Sequence, residues 1–152
     1  MRKFDGLGEC LCRQQAAFFA LSLQKSSLSS PQFIRYFLTS DFAVEADRNG
    51  DDDRLSLFFK AGSPLDSKKI LYSEDELYWL GYLYRYICYT RILTSAQLFR
   101  AMPSKELRPY YSVYHTQDME RSAALLLEKF PVFPQDPLAV IRDVFSKKEP
   151  RV

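Results

Sequence analysis

Histidine is nearly absent from this chain, which has His115 alone among its 152 residues. Its five glycines form no glycine-rich phosphate loop, and the G-x-S-x-G, H-E-x-x-H and C-x-x-C motifs do not occur. The common signatures of serine hydrolases, zinc proteases and nucleotide-binding enzymes are therefore missing. The sequence predicts a non-enzymatic protein with no catalytic residue, no cofactor and no metal site.

Cysteine is also scarce. Cys10, Cys12 and Cys88 are an odd number, and their spacing is unlike the disulfide framework of a small secreted domain. The C-x-C pair has no second cysteine cluster and no nearby histidine, so it is a weak zinc signal. We expect structural, free cysteines in a cytoplasmic protein.

Long apolar runs and a strong net charge are missing too. No apolar stretch reaches the 18 residues of a membrane span, and Arg13, Gln14 and Gln15 interrupt the first apolar run before it could form a signal-peptide core. The chain has 21 basic and 19 acidic residues, so its overall field is too weak to recruit nucleic acid or an anionic membrane. We expect no membrane association, and any electrostatic function must be local. Residues 41–53 contain six acidic residues and one basic residue, and residues 85–108 contain five basic residues and one acidic residue.

Helix signals recur along the whole chain. They predict an all-α fold, a compact bundle of six or seven short helices in a single domain over residues 1–152. Loops are expected at 48–53, whose aspartates lack the EF-hand spacing, and at 62–69, with a flexible tail at 147–152. Residues 54–61 fit either a strand or a helical turn. The predicted helices cover 9–24, 30–39, a segment from Ser73 to about Arg91, 94–102, 103–114, a segment from Thr116 or Asp118 to Pro131, and a last one from Asp136. A short additional helical piece is expected at 41–46.

The most distinctive segment is Ser73–Arg91, which has five tyrosines, the only tryptophan and two arginines. Ser73 and Glu76 are predicted to form a capping box at its start, and Thr94 and Gln97 repeat this pattern before the next helix. Read at 100° per residue, the helix has two stripes. One comprises Leu77, Leu80, Gly81, Tyr84, Ile87 and Cys88, and the other comprises Tyr78, Tyr82, Tyr86 and Tyr89, flanked by Arg85.

Two interpretations of the tyrosine stripe are open. A helix that is apolar on both sides is usually central to a bundle, so the first is a core helix whose hydroxyls are satisfied at the rim. The second is that part of the stripe, with Arg85, forms a recognition surface, because tyrosine and arginine are enriched among interface anchors.

Residues 94–114 have the dimensions of a helix-turn-helix unit. Arg100, Lys105 and Arg108 would contact DNA in that case. Pro109 lies inside the second helix and would bend or shorten it, and the turn lacks glycine, so a plain helical hairpin is the alternative.

His115 also has two interpretations. At the end of a predicted helix it can cap backbone carbonyls or pack against its neighbours. A histidine-dependent nuclease would instead pair it with Arg85, Arg108 and Tyr114.

Residues 78–120, YWLGYLYRYICYTRILTSAQLFRAMPSKELRPYYSVYHTQDME, resemble a group of small bacterial proteins. That group has Y-W-x-G-Y-x-Y-R, then a short S-x-x-x-[YF] helix, then P-x-E-L-R and Y-H-T. Residues 29–43, SSPQFIRYFLTSDFA, are similar to its N-terminal S-x-x-F-I-R-x-F-x-x-S. The two segments cover somewhat over a third of the chain.

The group is similar to the antitoxin-associated component of bacterial toxin–antitoxin modules, encoded beside small toxins, some with an ADP-ribosyltransferase-like fold. The resemblance implies a small cytosolic helical protein that binds or restrains a toxin, and it brings no catalytic residue. This sequence departs from the group at Ile87 and Cys88, where an aromatic is expected, and in its acidic 47–53 loop. Homodimer formation and binding to operator DNA stay open. The residues expected to contact the cognate toxin are Tyr78, Trp79, Tyr82, Arg85, Tyr86, Tyr89, Arg108, Tyr114 and His115.

Overall fold

The computed structural model describes residues 1–49, residue 58 and residues 70–132. Every regular element within these ranges is a helix, which confirms the all-α prediction. The loop predicted at 62–69, the helix predicted from Asp136 and the tail at 147–152 lie outside the described residues. So do residues 50–53 of the acidic loop and, apart from Phe58, residues 54–61.

The described helices follow one another with short connections before and after the undescribed stretch. None of them is long and apolar enough to cross a lipid bilayer. The elements are α1 (Gly6–Lys25), α2 (Ser30–Leu38), α3 (Asp41–Asn49), α4 (Glu74–Arg91), α5 (Ser95–Ala101), α6 (Ser104–Leu107), a 3₁₀ turn (Arg108–Tyr110), α7 (Tyr111–Tyr114) and α8 (Met119–Lys129).

Local capping explains where α4 and α5 begin. The Ser73 hydroxyl accepts from the Glu76 amide at 3.1 Å, and the Glu76 carboxylate accepts from the Ser73 amide at 2.9 Å. Thr94 and Gln97 make the same reciprocal pair at the start of α5. Both predicted capping boxes are confirmed.

Three predicted boundaries differ from the structure. Helix α1 begins at Gly6, before the predicted residue 9, because the Asp5 carboxylate caps it by accepting from the Gly8 amide at 2.9 Å. Helix α3 continues to Asn49, so the predicted loop does not begin at residue 48. The helix predicted over 103–114 is divided into α6, the 3₁₀ turn and α7, since Pro109 supplies no backbone N–H.

Helix α4 is the central element and packs along α1. Leu77, Leu80, Tyr84 and Ile87 of the predicted core stripe are fully buried, which confirms the stripe, and Leu83 is fully buried as well. The Tyr84 hydroxyl donates to the Met102 carbonyl at 2.7 Å, which joins α4 to the end of α5. A cluster of phenylalanines fills the space between α1 and α2, with ring centroids 4.9 to 6.4 Å apart: Phe18, Phe19, Phe33, Phe37 and Phe58.

Gly81 allows α4 to approach α1 closely. A Cβ added at this position would lie 2.8 Å from the Ala16 Cα and 2.8 Å from the Gln15 carbonyl oxygen. Both are backbone atoms, which cannot rotate away as a side chain can. The spacing of the two central helices therefore requires glycine at this position.

Gly81→Ala is expected to lower the free energy of unfolding by about 1–3 kcal/mol, because the two helices must separate to admit the methyl group. Gly6→Ala is the matched control, since nothing lies within 4 Å of a Cβ added at Gly6 in the first turn of α1. Urea denaturation followed by circular dichroism measures both variants. Equal stability of the two variants would contradict the proposed steric role of Gly81.

Candidate functional site

An open hollow of about 400 Å³ lies between the first half of α4 and the segment that contains α7. We name it the aromatic hollow, because five of its lining residues have ring side chains. Its described lining consists of Asp75, Tyr78, Trp79, Tyr82, Tyr111, His115, Gln117 and Met119. Four of the predicted partner-contacting residues, Tyr78, Trp79, Tyr82 and His115, are therefore brought together.

The rings of the hollow support one another. Trp79 and Tyr111 meet edge to face with centroids 5.8 Å apart, and Tyr111 stacks on His115 at 4.4 Å. His115 Nδ1 donates to the Tyr111 carbonyl at 2.6 Å, one turn back along the chain. The capping interpretation of His115 is thus confirmed, and the cap fixes the ring against Tyr111.

Trp79 and Tyr78 occupy different depths. Trp79 is 6% exposed and forms the floor of the hollow, whereas Tyr78 is 42% exposed and stands at the rim. The indole N–H of Trp79 is buried and has no acceptor within the part of the chain that the structure describes. Such an unsatisfied donor costs about 1–3 kcal/mol.

The hollow has a negative charge. Asp75 is exposed and makes no ion pair with any described residue, and no lysine or arginine is found among the described lining residues. Burial raises the pKa of the Tyr111 hydroxyl, and the carboxylates of Asp75 and Glu76 raise it further. The rings therefore face an acidic rim.

Arg108 lies beside the hollow and is already paired. Its Nε donates to Glu76 at 3.0 Å, and its guanidinium lies 4.4 Å from the centroid of the Tyr72 ring. Partial burial favours a higher pKa for the Glu76 carboxyl, but Arg108 and the capping bonds with Ser73 outweigh it and lower the pKa below 4.5. Arg108 therefore anchors the start of α4 and is not a free cation.

Arg85 does not lie on a recognition surface, so that part of the stripe interpretation is wrong. The residue is 4% exposed, and its Nη1 donates to Asp47 at 2.7 Å. Its Nε and Nη2 donate to the Gln15 side-chain oxygen at 3.1 and 2.8 Å, and Asp47 also accepts from the Ser95 hydroxyl at 2.7 Å. These four residues form a polar network that joins α1, α3, α4 and α5.

Tyr86, Tyr89 and Tyr114 are buried as well, so their prediction as surface contacts is wrong. The residues before α1 cover Tyr86 and Tyr89. Phe4 packs against Tyr86 with ring centroids 4.8 Å apart, and the Tyr89 hydroxyl donates to Asp5 at 2.7 Å. Tyr114 stacks on the neighbouring Tyr110 at 5.8 Å. Of the predicted tyrosine stripe, only Tyr78 and Tyr82 are accessible.

A second concave surface brings positive charge together. We name it the basic groove: a cavity of about 670 Å³ between α2, α5 and α6 whose cationic lining residues are Arg35, Arg100 and Lys105. No acidic residue is among its described lining, and none of the three cations makes an ion pair with a described residue. Arg100 and Lys105 were predicted for nucleic acid, whereas Arg108 does not line the groove.

The cysteines are free. Cys12 and Cys88 are buried, and burial raises the pKa of each thiol to about 12. Both side chains are therefore protonated at neutral pH and unsuited to nucleophilic attack. Within the described ranges, no group of three or more histidine, cysteine, aspartate or glutamate side chains is placed to hold a metal ion.

Three residues of these surfaces were not predicted as site residues. Asp75 lies in the first turn of α4, next to Glu76 of the capping box, and Tyr111 lies in the segment predicted as the helix 103–114. Arg35 was not singled out, although the apolar positions 33, 34, 37 and 38 of α2 place it on the opposite, exposed face.

Comparison of the chain with protein-family models, with curated proteins and with solved structures finds no match. The interpretation of the two concave surfaces therefore depends on their geometry and charge.

Asp47→Asn is expected to lower the free energy of unfolding by about 3 kcal/mol, because it leaves the Arg85 guanidinium buried without a counter-charge. Arg13→Ala is the matched control, since the Arg13–Glu9 pair is exposed on α1 and worth less than about 0.5 kcal/mol. Urea denaturation measures both. If Asp47→Asn lowers the free energy of unfolding as little as Arg13→Ala does, the Arg85–Asp47 pair does not stabilise the bundle.

Proposed function

We propose that this protein is a non-enzymatic, antitoxin-like interaction protein that binds and neutralises a cognate bacterial toxin in the cytoplasm. The observation that carries the proposal is the aromatic hollow, in which Tyr78, Tyr82, Tyr111 and His115 surround the buried Trp79. The resemblance of residues 29–43 and 78–120 to antitoxin-associated proteins supports the same conclusion.

The construction of the hollow suits binding. Tyrosine and tryptophan offer large, rigid contact areas with a polar tip, and they dominate the residues that contribute most to interface affinity. The helix that carries three of them is held by its capping box and by a fully buried stripe. The rings are therefore preorganised, and binding them requires little ordering.

The positions of the arginines favour binding over catalysis. A nuclease centred on His115 would need Arg85 or Arg108 near it, but these side chains are paired with Asp47 and Glu76. The buried thiols of Cys12 and Cys88 are protonated at neutral pH. We therefore propose that the toxin performs the chemistry and that this chain restrains the toxin.

A second candidate, a DNA-binding regulator, is favoured by the basic groove alone. Arg35, Arg100 and Lys105 converge there without a neutralising acid. Helix α6 is a single turn, so a long recognition helix is not available within residues 94–114. Contacts to phosphates, which position a protein without reading base sequence, suit this arrangement better.

Tyr78→Ala and Tyr82→Ala are each expected to weaken binding of the protein encoded by the adjacent gene by about 2 kcal/mol, roughly 30-fold, as measured by isothermal titration calorimetry. Tyr36→Ala is the matched control, because Tyr36 is a partly exposed tyrosine of α2 outside the hollow. The same variants should fail to rescue growth of cells that express the adjacent gene. Wild-type protein that forms no complex with that gene product would refute the proposal.

Replacing Arg35, Arg100 and Lys105 together by alanine is expected to weaken binding of the DNA upstream of the gene, as measured by fluorescence-anisotropy titration at several salt concentrations. The slope of log affinity against log salt should become shallower by about 2.7, since each phosphate contact contributes about 0.9. Arg108→Ala should leave the slope unchanged, because Glu76 holds that guanidinium. Unchanged DNA binding by the triple variant would eliminate this candidate.

A further inference from the structure

We infer that the aromatic hollow binds an arginine side chain of the partner protein, with the guanidinium against the rings and its charge paired with Asp75. The inference rests on the proposed function, because it names the chemistry by which the partner is recognised. It follows from the ring faces, from the unpaired carboxylate, and from a pattern that the same structure repeats elsewhere.

The ring faces provide an attractive surface for a cation. The negative face of an aromatic ring attracts a guanidinium within about 6 Å of its centroid, most strongly where water is excluded. Trp79 and Tyr82 are mostly covered, and Tyr78 stands above them at the rim. A cationic side chain that enters the hollow would therefore meet rings on its floor and its wall.

The charge of the hollow selects the same ligand. Glu76 already forms an ion pair with Arg108, whereas its neighbour Asp75 forms no ion pair with any described residue. A carboxylate beside an apolar floor forms a strong charge-assisted hydrogen bond with a guanidinium. An anionic ligand would meet Asp75 and no lysine or arginine of the described lining, so it is disfavoured.

The chain itself twice combines an arginine, a tyrosine ring and a carboxylate. Arg108 lies 4.4 Å from the Tyr72 centroid and pairs with Glu76. Arg2 lies 4.5 Å from the centroid of Tyr89, whose hydroxyl donates to Asp5. The aromatic hollow has the rings and the carboxylate, and the described residues supply no arginine to it.

Arginine fits these features better than lysine. Its planar guanidinium can stack flat on a ring while two of its N–H groups face one carboxylate. The ammonium of lysine is more strongly hydrated and loses more on entering an aromatic site. The hollow is therefore assigned to arginine.

The inference can be tested without the toxin, because Trp79 is the only tryptophan of the chain and its fluorescence reports on the hollow. N-acetyl-arginine amide is titrated into the full-length protein. Its neutral isostere N-acetyl-citrulline amide and the lysine analogue are titrated in parallel. We expect a saturable change in fluorescence with the arginine probe. Citrulline should bind at least tenfold more weakly because it lacks the charge, and lysine should do so because its ammonium is more strongly hydrated.

Asp75→Asn should weaken binding of the arginine probe about tenfold by the same reasoning. Glu74→Gln is the matched control: it removes an adjacent acid of the same helix turn that does not line the hollow, so it should leave binding unchanged. Equal binding of citrulline or lysine, or equal binding by the Asp75→Asn variant, would overturn the inference.

Failure of this inference can be told apart from failure of the proposed function. A toxin whose binding is weakened by Tyr78→Ala but not by Asp75→Asn would retain the proposed function and refute the arginine site. An arginine probe that binds as expected, in a protein that forms no complex with the adjacent gene product, would retain the site and refute the proposed function.

Discussion

The separation of α1 and α4 is fixed at Gly81, where only a hydrogen atom fits between α4 and the backbone of α1. This close approach also places Gln15, whose side-chain amide donates to the Gly81 carbonyl at 3.1 Å while its oxygen accepts from Arg85. A wider residue at position 81 would move Gln15 away from both partners. Apolar packing and the buried polar network therefore depend on the same interhelical distance.

The polar network extends the same distance constraint from α1 and α4 to α3 and α5. Arg85 extends from α4 to Asp47 on α3, and Asp47 accepts from the Ser95 amide at 2.9 Å at the start of α5. Burial of two charges is tolerated only where such bonds satisfy the remaining donors and acceptors. Helix α5 also contains Arg100, which lines the basic groove. The position of the groove therefore depends on the hydrogen bond between Asp47 and Ser95 at the start of the same helix.

The sequence predicts those features that local chemistry decides. The capping boxes at Ser73 and Thr94 depend on residues three apart, and both are found. Pro109 was recognised as a residue that would bend or shorten a helix, and the helix is divided there. Burial of Arg85 could not be read in the same way, since its partner Asp47 is 38 residues distant and belongs to a stretch that reads as an acidic loop.

The candidate site was predictable to a similar degree. Tyr78, Trp79 and Tyr82 share one helix, and composition alone drew attention to them. The neighbourhood of Asp75 and Tyr111 is created by the 3₁₀ turn at Arg108–Tyr110, which directs α7 back toward α4. No periodicity in the sequence encodes such a return, so this half of the hollow emerges only from the tertiary structure.

One continuous segment, residues 104–115, contributes to both concave surfaces: Lys105 lines the basic groove, and Tyr111 and His115 line the aromatic hollow. Two sites built on one segment are subject to thermodynamic linkage whenever a ligand displaces that segment. A ligand of the hollow that lowers the affinity of the groove by a given factor would then have its own affinity lowered by the same factor when the groove is occupied. A ligand that displaces residues 104–115 at one surface would therefore change the affinity of the other surface for its own ligand.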